Sequence, residues 1–118
     1  MKHIIIGGDG FVGSHLAADL AAMGEEVLVC DIHKSGHAHY DKVPFQKIDV
    51  TDAGSVESIA LTADDLVYNL SAKMLSPIVT RKERHDFFWP VNYHGTENIL
   101  KWMEKNGARK LVHFTTDM

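Results

Sequence analysis

Three glycines in a fixed rhythm constrain this chain more than any other feature. The apolar run Ile4-Ile5-Ile6 meets Gly7-Gly8-Asp9-Gly10-Phe11-Val12-Gly13, a G-x-x-G-x-x-G spacing. One such glycine permits a tight turn out of a strand, one lets the backbone approach a pyrophosphate closely, and one lets a helix pack closely on the strand. Phe11, Val12, Leu16, Leu20 and Met23 then recur at helical spacing, and Gly24 supplies the stop. A helix beginning near Phe11 aims free N–H groups and its positive dipole end at a bound phosphate.

The next apolar segment ends at Asp31. A carboxylate at the end of the second strand accepts hydrogen bonds from the adenosine ribose hydroxyls of a dinucleotide and repels the extra phosphate of NADP. The expected cofactor is therefore NAD, although Lys34 lies near enough in sequence to soften that repulsion.

Strand-like enrichment in β-branched and apolar residues occurs at 3–7, 26–31, 45–50, 65–71 and 110–115. Helical patterns separate most of these segments, so the chain reads as βαβ units with parallel strands and right-handed crossovers. The fold class expected is α/β, a Rossmann-type doubly wound parallel sheet of five strands in the order 3-2-1-4-5, ending after the fifth. Thr51 or Asp52 is placed to cap a short second helix over 51–61, which Gly54 weakens. A long helix is expected over 83–105, closed by Asn106-Gly107, with Pro90 kinking it or marking its true first turn.

A length of 118 residues fits one domain, 1–118, and no linker or repeat divides it. Hydrophobic residues make up 45% and charged residues 24%, which excludes disordered and fibrous classes. A net charge of -4 offers no basic field, so no nucleic-acid partner is expected. No run is apolar and long enough for a membrane span, and Cys30, the single cysteine, reads as a buried thiol in a reducing, cytoplasmic setting. Of the eight histidines, His33, His37 and His39 crowd one loop, but apart from the loosely placed Asp41 no cysteine or carboxylate completes a metal-ligand spacing, so no metal site is expected. Arg81-Lys82-Glu83-Arg84 reads as a solvated helix start.

At this point the residues resemble the extended short-chain dehydrogenase/reductase family, the NAD-dependent sugar-nucleotide epimerases and dehydratases. Gly7-Gly8-Asp9-Gly10-Phe11-Val12-Gly13-Ser14-His15 is similar to that family's Gly-Gly-x-Gly-Phe-Ile-Gly-Ser-His. Asp49-Val50 resembles the pair flanking the adenine, and Tyr68-Asn69-Leu70-Ser71-Ala72 the strand end lining the middle of the cofactor. The segment from Val91-Asn92 to Gly95-Thr96 resembles the family's Val-Asn-x-x-Gly-Thr helix, whose Asn helps fix the active-site backbone. Phe114-Thr115-Thr116-Asp117 resembles the end of the fifth strand. The resemblance thus implies a cofactor site made of Gly7, Gly10, Phe11, Val12, Gly13, Asp31, Ile32, Asp49, Val50, Leu70, Ser71, Ala72, Asn92 and Thr115. It implies that Thr116, or its neighbour Thr115, is the hydroxyl residue of the catalytic set, holding a substrate hydroxyl or carbonyl.

The departures are as informative. Ile6 stands where the family commonly has Thr, and Met118 where dehydratases carry Glu. The family's Tyr-x-x-x-Lys is absent, because Tyr40, Tyr68 and Tyr93 have no Lys four positions on. The expectation is a cofactor-binding front part of a nucleotide-sugar enzyme that does not complete a catalytic cycle alone; the alternative is a non-catalytic dinucleotide-sensing module. At 100° per residue, Phe87, Phe88, Trp89, Val91, Ile99, Leu100, Trp102 and Met103 cover an arc of about 220°, wider than a one-sided surface helix needs. A homo-oligomer is therefore expected through the helix 83–105, with Phe88 or Trp102 in or near the contact.

Overall fold

The computed structural model describes residues 1–35, 40, 42–71 and 90–114, with the side chains at 90–92 left aside. The elements are β1 (Lys2–Ile6), α1 (Phe11–Ala22), β2 (Glu26–Asp31), β3 (Phe45–Lys47), α2 (Ala53–Glu57), β4 (Leu66–Asn69), a π-type turn (Pro90–Gly95) running into α3 (Thr96–Lys105), and β5 (Lys110–His113). All pairings are parallel and the order is β3-β2-β1-β4-β5, as expected. In the central register Ile4 stands beside Leu28 on one side and Val67 on the other.

Ile4, Ile5 and Ile6 are all fully buried, the mark of a strand covered on both faces. Alternation sorts their neighbours into two clusters. Ile4, Ile6, Cys30, Val67, Ile99 and Trp102 pack on the face that carries α2 and α3. Ile5, Ala17, Val27, Val29, Tyr40 and Tyr68 pack on the face that carries α1.

Three local expectations change. The apolar spacing of α1 suggested that Phe11, Val12 and Met23 face the core, yet they are 80%, 51% and 73% exposed, while Gly13, Ser14 and Ala17 are buried. Small residues bring the helix axis close to the sheet, which a row of large side chains would hold away. The second helix is only Ala53–Glu57; Asp52 caps it, its Oδ1 accepting from the N–H groups of Gly54 at 3.0 Å and Ser55 at 3.4 Å. Trp102, expected at a contact between copies, is 1% exposed and donates from Nε1 to the Ile59 carbonyl at 3.1 Å, so it belongs to the core. Pro90 stands first in the π-type turn, where a missing N–H costs nothing, and the helix stop at Asn106-Gly107 is where expected. Phe87, Phe88 and Trp89 lie outside the described residues.

Candidate functional site

β1 delivers the chain into the glycine turn at the carboxyl end of the sheet. Gly7 adopts φ +80°, and a Cβ there would stand 2.7 Å from both the Leu70 carbonyl carbon and the Ser71 nitrogen. Its N–H donates to the Cys30 carbonyl at 2.8 Å, tying the turn to β2. A Cβ on Gly13 would meet the Gly8 Cα at 2.6 Å, so this glycine sets the approach of α1 to the turn. Gly10 differs: its added Cβ would meet only the Gly7 oxygen, at an ordinary 3.5 Å. Among the described residues nothing requires glycine at that position.

Gly10 lines a cavity of about 270 Å³, near the lower edge of the ~300–1,000 Å³ typical of ligand clefts. The walls are Gly7 and Gly10 from the turn, Asp31 and Ile32 from the end of β2, Asp49 and Val50 beyond β3, and Leu70 and Ser71 beyond β4. Eight of the residues expected in the site are thus brought together. Ile6 and Ile48 complete the cavity and were not anticipated as site residues; both are buried core residues whose apolar character alone carried no signal of a ligand.

At one side of the cavity α1 begins with Gly10 as its cap, without a side-chain cap and without an acidic residue in its first turn. Phe11 and Val12 start this helix, and their backbone N–H groups belong to its uncapped first turn. Asn92 lies in the π-type turn, while Ala72, Thr115 and Thr116 lie outside the described residues, as do His37, His39 and the run Arg81 to Arg84.

Asp31 is held from two directions. Its Oδ2 accepts from the Asp9 N–H at 2.9 Å and its Oδ1 from the Ile32 N–H at 2.7 Å. One accepting site on each oxygen therefore stays available beside the cavity. The Lys34 ammonium lies 6.0 Å from the ring centres of Tyr40 and Phe45, at the outer reach of a cation–π interaction. Burial pushes the Cys30 thiol up to about 12, with Lys2 opposing and Asp31 adding to the shift, so this neighbour of Asp31 is an inert core residue.

Two asparagines outside the expected set shape the walls. Asn69, 1% exposed, accepts at Oδ1 from the Ser71 N–H at 3.1 Å and hydroxyl at 2.5 Å, and its Nδ2 donates to His113 Nδ1 at 3.1 Å and Thr96 Oγ1 at 3.4 Å. Asn98 on α3 donates to the Val50 carbonyl at 2.8 Å. Both lie inside segments that the sequence motifs singled out, but their partners are distant in sequence, so no local pattern announced these roles. Asp49 accepts at Oδ1 from the Thr51 N–H at 3.0 Å and hydroxyl at 2.7 Å, which turns the chain away from the cavity into α2. Among the described residues no group of three His, Cys, Asp or Glu side chains could hold a metal ion, and no helix is long and apolar enough to cross a membrane.

Residues 3–118 match the profile of the NAD dependent epimerase/dehydratase family. The chain belongs to that family. It is 30% identical over 118 residues to a UDP-N-acetyl-alpha-D-glucosaminuronate decarboxylase of Bacillus cytotoxicus, covering 96% of this chain and 36% of the relative. It is also 30% identical to a UDP-glucose 4-epimerase of Halalkalibacterium halodurans, covering 98% of this chain and 35% of that enzyme. Among solved structures, the Thermus thermophilus UDP-glucose 4-epimerase in complex with NAD superposes with a TM-score of 0.77 at 31% identity, covering 94% of this chain and 36% of that one. The chain therefore spans about a third of the length of these relatives.

Proposed function

We propose that this chain is one dinucleotide-binding domain that holds NAD, and that the protein it serves moves hydride between a sugar carbon of a nucleotide sugar and that cofactor. The observation that carries the reading is the conjunction in one cavity of Gly10, whose missing side chain leaves room that the protein itself does not need, the uncapped start of α1, and Asp31 with an accepting site free on each oxygen. The first turn of α1 would hold the pyrophosphate, its backbone donors and the helix dipole meeting that charge. Asp31 would accept from the adenosine ribose hydroxyls, and Ile32, Asp49 and Val50 would border the adenine. By the family resemblance Leu70, Ser71 and Ala72 would serve the middle of the cofactor, Asn92 and Thr115 its reactive end, and Thr116 the substrate hydroxyl. Bound NAD supplies the hydride acceptor. A further phosphate on the ribose would meet the Asp31 charge, so NAD is preferred to NADP. On the same reading the protein is a cytoplasmic homo-oligomer that associates through the segment 83–105, where Leu100 on α3 and Tyr93 in the π-type turn are about half exposed.

Titration calorimetry with NAD and NADP tests this. The expected result is NAD binding at least about tenfold tighter, a difference of ~1.4 kcal/mol. Equal affinities would remove the role given to Asp31, and binding of neither dinucleotide would overturn the reading.

A further inference from the structure

Asp9 carries a carboxylate that nucleotide binding as described leaves unused. It lies one position before Gly10, yet it is only 6% exposed. Its Oδ2 accepts from the Ser35 N–H at 2.9 Å, and its Oδ1 accepts from the Ser35 hydroxyl at 3.0 Å and from the hydroxyl of Tyr40. The backbone N–H of the same residue donates to Asp31 Oδ2 at 2.9 Å. One residue of the glycine turn is thus tied both to the ribose-binding carboxylate and to the chain that follows it.

A buried carboxylate is costly unless donors surround it, and three donors do so here. Tyr40 is 2% exposed and packed among Ile5, Val27 and Val29, so its hydroxyl is a fixed post rather than a mobile surface group. Ile32 lines the cavity between Asp31 and Ser35 while remaining 52% exposed, so packing alone does not hold it.

We propose that Asp9 is a positioning residue for the ribose end of the bound dinucleotide: by clasping Ser35 and Tyr40 it fixes the plane of the Asp31 carboxylate and the place of Ile32. The proposal rests on the NAD-binding reading. Without the clasp, the turn and the end of β2 part, Asp31 loses its fixed orientation, and the ribose hydroxyls lose preorganised acceptors. Asp9 touches no ligand; it acts through Asp31.

The test is calorimetric titration of the chain and its variants with NAD and with an NAD analogue lacking the 2′-hydroxyl of the adenosine ribose. Asp9→Ala is expected to weaken NAD about tenfold, the size of one charge-assisted hydrogen bond, and to weaken the analogue much less. The preference for NAD over the analogue then collapses, and in an Asp31→Ala background Asp9→Ala causes no further loss. Tyr40→Phe, which keeps the ring and removes one donor, is expected to move the same ratio in the same direction by a smaller factor, and carries the test if Asp9→Ala does not fold. An equal loss for both ligands, or no loss, overturns the proposal and leaves NAD binding standing. Failure of the unaltered chain to bind NAD overturns the binding reading itself, and the proposal with it.

Discussion

The two ends of the sheet differ in what they leave for a ligand. At the end where β1 and β4 begin, the buried polar side chains are satisfied from within the chain. Asp65, 4% exposed, accepts from the Lys2 N–H at 3.0 Å and the Thr62 N–H at 2.9 Å. Burial alone would raise its pKa, but these hydrogen bonds outweigh burial and hold the carboxyl below its ordinary value. His3, 5% exposed, sits between the Tyr68 hydroxyl at 2.8 Å and Glu25 Oε2 at 3.3 Å. Burial, with Glu25 adding, pushes the Tyr68 hydroxyl above its ordinary value, so it stays protonated beside the imidazole.

At the opposite end, Gly10 leaves space, α1 starts without a capping side chain, and Asp31 keeps accepting sites toward a cavity. The closed end stabilises the fold and the open end is available to a ligand. That division follows from parallel strands, whose carboxyl ends all deliver the chain to one edge where successive turns line a common crevice.

Substitutions can break or sharpen this contrast. The largest effect is expected at Gly7, where valine would place Cβ 2.7 Å from backbone atoms of Leu70 and Ser71 at φ +80°. Gly7→Val should cost more than ~3 kcal/mol and leave no cooperative thermal transition by circular dichroism. A normal melt would show that the turn has room for a side chain at Gly7. Gly10→Val, three positions on, should melt like the parent yet lose about a hundredfold or more in NAD affinity by calorimetry. A stability loss matching that of Gly7→Val would erase the distinction between the two glycines.

At the closed end, Asp65→Asn should cost ~1–3 kcal/mol near neutral pH and leave NAD affinity unchanged. Because the folded pKa of Asp65 is lowered, its stabilisation is complete above the ordinary value of 3.8 and is lost as pH falls through the folded value. The gap in melting temperature between parent and variant should therefore narrow in acid; a gap that is constant with pH would mean the carboxylate's charge is not what matters. The smallest effect is expected from Tyr68→Phe, about 0.5–1.5 kcal/mol of stability with unaltered NAD binding. A change in affinity would show that the two ends are coupled.

Much of this was legible in the sequence because it is written in local backbone requirements. The strand, glycine turn, helix and strand from Lys2 to Asp31 follow from residue spacing, and so do the stop at Gly24 and the parallel alternation that sets the fold class. Residues placed at strand ends by that alternation, such as Asp31, Asp49 and Ser71, converge in one cavity because topology leaves them no other edge. Apolar periodicity misled in two places. It counted Phe11 and Met23 toward the core of α1, where the small residues Gly13, Ser14 and Ala17 make the close contact, and it offered Trp102 to a partner when Ile59 already takes its N–H.

By itself the sequence determined the order of elements, the turn that needs glycine and the carboxylate that follows β2, since each depends on residues near one another in the chain. Only the tertiary structure decided which distant groups saturate one another: Asp9 with Ser35 and Tyr40, Asn69 with Ser71 and His113, Asn98 with Val50. The physical reason is that a side chain's hydrogen-bonding capacity can be read from its type, but its partner is chosen by the packing of elements far apart in sequence, and periodicity carries no record of that choice.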